Sequence, residues 1–124
     1  MHGYPDFASL KEMPVYDQTI FTEATTDIES YAIFTNNTTN IIKVFMLTTV
    51  NLNAALVYLR LFVKKSGGTI DFYIDSHPNF LLSECIYNAF PIYLFPGDAI
   101  WTRHLAISGT TSLFHSYGYT EHKA

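Results

Sequence analysis

The chain reads as an all-β protein: an antiparallel β-sandwich of jelly-roll type with about eight strands and an extended N-terminal arm. Three observations predict this. Eight runs rich in β-branched and aromatic residues are separated by turn-forming residues at short intervals. Two of them alternate with the period of two that marks a strand with unlike faces. The segment 1–18 contains Pro5 and Pro14, and proline holds the residue before it out of the helical region.

Residues 1–18 are therefore expected to form an arm, and residues 19–124 the sandwich domain. The arm carries Tyr4, Phe7, Leu10, Met13, Val15 and Tyr16, more apolar surface than a segment left in water should hold. The first strand expected is 19–22, followed by a turn at Thr25-Thr26-Asp27 and a second strand over 30–35. Asn36-Asn37-Thr38-Thr39-Asn40 is the clearest turn, because asparagine tolerates a left-handed backbone. It contains two overlapping glycosylation acceptors, here read as turn chemistry. Strands 41–48 and 55–64 come next, and Ser66-Gly67-Gly68 ends the second of them. The run 70–75 places Ile70, Phe72 and Ile74 on one face. Strands 92–95, 99–104 and 111–117 complete the set. Residues 78–90 fit either a short helix, with Leu81, Leu82, Cys85 and Ile86 at helical spacing, or a loop across one end of the sandwich.

Strand 55–64 is the most informative. Val57, Leu59, Leu61 and Val63 line its core face, and the core is expected to hold them with Phe72 and Ile74. The opposite face carries Leu56, Tyr58, Arg60, Phe62 and Lys64, too apolar for a face that meets only water. Strand 41–48 repeats this, with Ile42, Val44 and Met46 against Ile41, Lys43, Phe45 and Leu47. A chain of 124 residues has little loop left to cover a second face. The candidate interface is thus Tyr4, Phe7, Leu10, Met13 and Tyr16 on the arm, with Tyr58, Arg60 and Phe62 on the sheet.

Composition sets the bounds. One domain fits the length. The 48% of apolar residues exclude a disordered chain, and a single cysteine excludes a disulfide scaffold. The net charge of −4 argues against direct nucleic-acid binding. No membrane helix is expected, because the apolar stretch 41–63 is broken by Lys43, Asn51, Asn53 and Arg60, and a charge at the bilayer centre costs about 3 kcal/mol. The segment 1–6 lacks the basic and apolar regions of a signal peptide.

No catalytic motif stands out, and no cofactor or metal is expected. The five histidines make no HxH or HExxH spacing. His104 and His115 lie on consecutive strands and are read as polar-face residues without a third ligand. Asp71, Asp75 and Asp98 form no calcium loop. Glu23, Asp27, Glu29 and Glu84 make no acid–base pair. The apolar flanks of Cys85 suggest a buried, inert thiol. Trp101 and Tyr117 are the aromatics that a sugar-binding platform would use.

Two stretches carry a family resemblance. One runs from Tyr31-Ala32-Ile33-Phe34-Thr35-Asn36 through Val57-Tyr58-Leu59-Arg60-Leu61-Phe62-Val63 to Ser66-Gly67-Gly68. The other runs from Pro91-Ile92-Tyr93-Leu94-Phe95-Pro96-Gly97-Asp98-Ala99-Ile100-Trp101 to Ser116-Tyr117-Gly118-Tyr119-Thr120-Glu121. Together they resemble the small β-sandwich virion proteins of tailed bacteriophages, over about residues 19–121. In the Pro96-Gly97-Asp98 turn, proline presets the corner, glycine supplies positive φ and aspartate caps the next amide. The resemblance implies a structural virion protein, first of all a capsid decoration or cement protein. A neck or tail component, or a receptor- or carbohydrate-binding module, is the alternative. It implies a virion location after assembly in the host cytoplasm. Its partners would be the phage major capsid protein or a neighbouring virion protein, and further copies of itself, as a trimer.

Overall fold

The computed structural model describes residues 13–23, 29–52, 56–88, 91–106 and 111–123. Nine strands lie among them: β1 (Val15–Glu23), β2 (Glu29–Thr35), β3 (Ile41–Asn51), β4 (Leu56–Lys64), β5 (Asp71–Leu81), β6 (Cys85–Asn88), β7 (Ile92–Leu94), β8 (Ala99–Ala106) and β9 (Thr111–His122). They form two antiparallel sheets. The first has the order β1-β9-β3, with β6 and β7 sharing the far edge of β3; the second has the order β2-β8-β4-β5.

The pairs are nested. β1 pairs with β9, β2 with β8, β3 with β6 and β7, and β4 with β5. The chain is one long hairpin rolled up so that successive pairs fall in alternate sheets, which is the jelly-roll winding. Val57, Leu59 and Leu61 of β4 are buried in one core with Ile42, Val44 and Leu47 of β3, Leu94 and Leu113.

β4 alternates as expected, and Val63 and Ile74 pack against the core. Phe72 does not join it and is 52% exposed. It lies near one end of β5, the outermost strand of its sheet, where the facing layer gives less cover. β3 departs from simple alternation as well: Ile42 and Val44 face inward, and then Leu47 does, in place of Met46. A bulge between Val44 and Met46 inserts one extra residue opposite β9, and one extra residue exchanges the two faces.

Residues 78–90 are neither helix nor end loop where they are described. β5 continues to Leu81, and β6 follows a tight turn in which Ser83 takes φ 66°. Pro78 can occupy a strand because β5 is an edge strand and because the register shifts there. Leu59 pairs with His77 and Val57 with Phe80, so Pro78 and Asn79 together oppose Tyr58. β1 begins at Val15, so residues 15–18, assigned to the arm by sequence, pair with residues 116–119 of β9. Residues 1–12, with Tyr4, Phe7 and Leu10, lie outside the described residues.

Candidate functional site

The outer face of the second sheet is built by β4, β8 and β5. The antiparallel register places Arg60 opposite Arg103 and Phe62 opposite Trp101. Arg60 donates from Nη1 to Tyr73 Oη at 3.2 Å and from Nη2 to Tyr58 Oη at 3.3 Å. Its guanidinium carbon lies 5.4 Å and 5.6 Å from the centres of those two rings. Arg103 donates from Nε to Ser30 Oγ at 3.1 Å and from Nη1 to Asp71 Oδ2 at 3.3 Å. Lys64 Nζ lies 4.5 Å from the Trp101 ring centre. Cationic and aromatic groups thus alternate over this face.

Of the three sheet residues singled out by sequence, Tyr58 is 39% exposed and Arg60 is half-buried, while Phe62 is fully buried. Phe62 faces outward as alternation requires, but its neighbours cover it. Arg103 lies 5.1 Å over its ring, Trp101 stacks beside it and Tyr73 meets it edge-on. What this part of the face leaves open to solvent is therefore Tyr58 and Tyr73, with the half-buried Arg60 bonded to both. Tyr58, Arg60, Arg103, His104 and Leu105 line a cleft of about 280 Å³ on this side.

On the arm side, Met13 and Tyr16 are 54% and 66% exposed. Tyr16 meets Phe45 edge-on at 5.8 Å. The two rings close over Gly118, where an added Cβ would lie 2.7 Å from Phe45 Cζ and 2.9 Å from Tyr16 Cε1. Tyr87 and Tyr93 are exposed on the same sheet, on β6 and β7.

One end of the sandwich is held by polar side chains. Asp98 Oδ1 accepts the Ser66 N–H at 3.0 Å, and Oδ2 accepts Lys65 Nζ at 2.6 Å and the Phe95 N–H at 3.0 Å. The carboxylate therefore caps the amide three residues before it and ties the β7–β8 turn to the β4–β5 turn. It does not cap the next amide, as the turn sequence alone suggests. Burial pushes Asp98 up, but these three donors outweigh burial and hold it below the ordinary carboxylate value. Gly97 has φ 86°, as expected. Asn36 works through its side chain: Nδ2 donates to Leu94 O and Asn40 O, and Oδ1 accepts the Thr38 N–H. Among the described residues only Ser83 is a non-glycine with positive φ, so left-handed asparagine is not what makes that turn.

His104 and His115 are buried inside the sandwich rather than lying on a polar face. Their strands follow each other in sequence but belong to opposite sheets, so the two rings approach across the core. His115 bonds through Nδ1 to Thr49 Oγ1 at 2.8 Å and through Nε2 to Tyr31 Oη at 2.5 Å. His104 packs against the edges of Phe21 and Tyr31, and its Nδ1 has no hydrogen-bond partner among the described residues. Burial lowers His104 to about 4. Burial and then the neighbouring His104 lower His115 to about 3. Both are neutral at pH 7, and burial pushes the Tyr31 hydroxyl up.

Among the described residues no three His, Cys, Asp or Glu side chains stand together as a metal site. Asp71 and Asp98 are paired with Arg103 and Lys65. Cys85 is exposed, not buried: on β6 the inward positions are Ile86 and Asn88, so its thiol faces out. Tyr117 packs inside the sandwich against Phe34, while Trp101 lies on the outer face against Phe62, so the two share no platform. Among the described residues no helix is long and apolar enough to cross a membrane.

No protein-family model and no curated protein sequence matches the chain. Solved structures do. One is a chain of the acidic stable capsid structure of Helicobacter pylori bacteriophage KHP30, with 8% identity and a TM-score of 0.58; the match covers 87% of this chain and 93% of that one. A chain of infectious bursal disease virus, Gx strain, matches at 10% identity and a TM-score of 0.47, over 89% of this chain and 32% of that one. The Drosophila NLP core, described in terms of pentamer formation and histone binding, matches at 10% identity and a TM-score of 0.42, over 89% and 100%. The last two superpose too loosely to bear on function. With so few identical residues, the first match is one of fold: this chain shares its sandwich, over nearly the full length of both chains, with a protein of a phage capsid.

Proposed function

We propose that the chain is a structural virion protein of a tailed phage, a capsid decoration or cement protein. It binds neighbouring shell subunits through the sandwich face around Tyr58 and Arg60 and through residues 1–18. The observation that carries this reading is the match of fold to a chain of the KHP30 capsid structure, which covers 87% of this chain and 93% of that one. The exposed aromatics on both sheets support it, since a monomer of this size has no need of them. The chain performs no chemistry in this reading. Its partners are the major capsid protein or a neighbouring virion protein, together with further copies of itself as a trimer.

Purified virions analysed by mass spectrometry and cryo-electron microscopy test this. The expected result is the chain in stoichiometric amount, with jelly-roll density on the outer capsid lattice. The same density at the neck or tail would replace decoration by a neck or tail role. Absence of the chain from the particle would overturn the virion reading.

A further inference from the structure

A sheet edge presents a row of unpaired backbone N–H and C=O groups, and proteins blunt such edges with short strands, bulges, prolines or lysines. Among the described residues the edge strands are β1 and, across its sheet, β6 and β7, with β2 and β5 in the other sheet. β6 and β7 have four and three residues. β2 has a register shift between Ala32 and Phe34. β5 has two shifts and carries Pro78. β1 has none of these devices: it runs for nine residues with no proline, no lysine and no shift against β9. Its outer edge has no partner strand among the described residues, and Val15, Tyr16 and Ile20 are exposed.

Hydrogen bonding fixes which groups line that edge. In an antiparallel pair a residue sends its N–H and its C=O to the same neighbour, and the next residue sends both the other way. Leu52, just past β3, donates its N–H to Ser112 O at 2.9 Å, so the even-numbered residues of β9 face β3 and the odd-numbered ones face β1. His115 and Tyr117 pair with Thr19 and Asp17, so the odd-numbered residues of β1 bond to β9. Tyr16, Gln18, Ile20 and Thr22 therefore point their backbone groups outward. The Gln18 N–H agrees with this: it is bonded at 2.8 Å to the side chain of its own neighbour, Asp17.

We propose that this edge pairs with the same edge of a second copy of the chain, β1 antiparallel to β1 about a two-fold axis through Gln18. Gln18 then meets Gln18, and the two exchange both backbone hydrogen bonds. Tyr16 meets Ile20 on the outer face, Val15 meets Phe21 on the inner face, and Asp17 meets Thr19. Each exposed apolar side chain of β1 gains an apolar cross-strand neighbour. Charge selects the same register. An axis through Asp17 would set two carboxylates face to face, and one through Thr19 would set Asp17 against Phe21. The face around Tyr58 and Arg60 belongs to the other sheet and stays free, so this contact adds to the three-fold association proposed above. A strand pair this short falls below the roughly 1,200 Å² of a stable complex. It is transient between free chains and fills where copies are held side by side.

Cross-linking tests this on the full chain carrying Cys85→Ser, which removes the one native thiol. Gln18→Cys sets two thiols directly opposite each other, with Cα atoms about 5.5 Å apart. Thr22→Cys sets them eight residues out of register, about 27 Å apart. A short bis-maleimide should link Gln18→Cys chains into dimers at least tenfold faster than Thr22→Cys chains. A mixture of Tyr16→Cys and Ile20→Cys chains should give the mixed dimer ahead of either homodimer. Positions 18 and 22 are both exposed, and a thermal midpoint equal to that of the Cys85→Ser chain checks the fold of each variant. Equal linking rates at positions 18 and 22, or homodimers formed as fast as the mixed dimer, would overturn the proposal. Linking that appears only after residues 2–12 are deleted would overturn it too, by showing that the chain's own arm occupies the edge. The contact uses no virion partner, so its failure leaves the virion reading to be judged by particle composition.

Discussion

Asp98 is almost wholly buried, and its carboxylate gathers donors from two turns that are far apart in sequence. Replacing it with alanine would leave the Ser66 and Phe95 amides without their acceptor, at a cost of about 2–3 kcal/mol for a charged hydrogen-bond centre. The expected result for Asp98→Ala is a lower denaturant midpoint with an unchanged slope. Gly97 beside it has two reasons to be glycine. Its φ of 86° suits no other residue well, and an added Cβ would collide with Ser66 Oγ. Gly97→Ala should therefore cost about 1–3 kcal/mol, and a thermal midpoint equal to wild type would refute this account of the turn. The Pro-Gly-Asp signature was legible as a turn. What it clamps was not, because Ser66 and Lys65 reach it only through the packing of β4 beside β8.

Among the elements, β5 and β1 show how edge position overrides pattern. β5 spans 11 residues against 9 in β4, and its two register shifts absorb the difference. The spacing of Leu81, Leu82, Cys85 and Ile86 imitates a helix, but a strand with a tight turn separates the same residues. β1 begins at Val15, which divides the arm at a natural point. Deleting residues 2–12 leaves β1 its full pairing with β9 and should leave circular dichroism and thermal midpoint nearly unchanged. The same deletion should abolish attachment to the particle, since it removes Tyr4, Phe7 and Leu10. Particle occupancy equal to that of the full chain would show that the arm does not anchor the protein.

The molecule as a whole carries two neutral histidines in its core, and this sets its response to acid. In the unfolded chain each histidine protonates near pH 6.5; in the fold, at about 4 for His104 and about 3 for His115. Between these values the unfolded state binds more protons, so stability falls as pH falls, beginning near 6.5 and steepening towards 4. Each histidine contributes up to about 1.4 kcal/mol per pH unit. Below about pH 4 the loss of the Asp98 carboxylate acts in the same direction. Urea unfolding at pH 7, 6 and 5 should show this slope, and His104→Leu should reduce it by about half. A slope unaltered in that variant would mean that His104 is not the group taking up the proton. Self-association through Tyr58, Arg60 and residues 1–18 is expected at the same scale, with a sedimenting mass of three 14.1 kDa chains. A monomer at all concentrations would refute it.

Periodicity and turn residues alone determined the all-β class, the sandwich, most strand positions and the inward face of β4, because a strand's faces are set by counting residues in twos. They also marked Tyr58 and Arg60 as unusual for an outward face. Tertiary structure decided what counting cannot reach. One inserted residue in β3 exchanged Met46 for Leu47 in the core. Neighbouring strands covered Phe62 and left Phe72 uncovered. Two histidines assigned to a polar face meet inside the sandwich, because consecutive strands can enter opposite sheets. The pairing of Arg60 with Arg103 belongs to the same class. It depends on register between two strands that are distant in sequence, and no local pattern in the chain encodes that register.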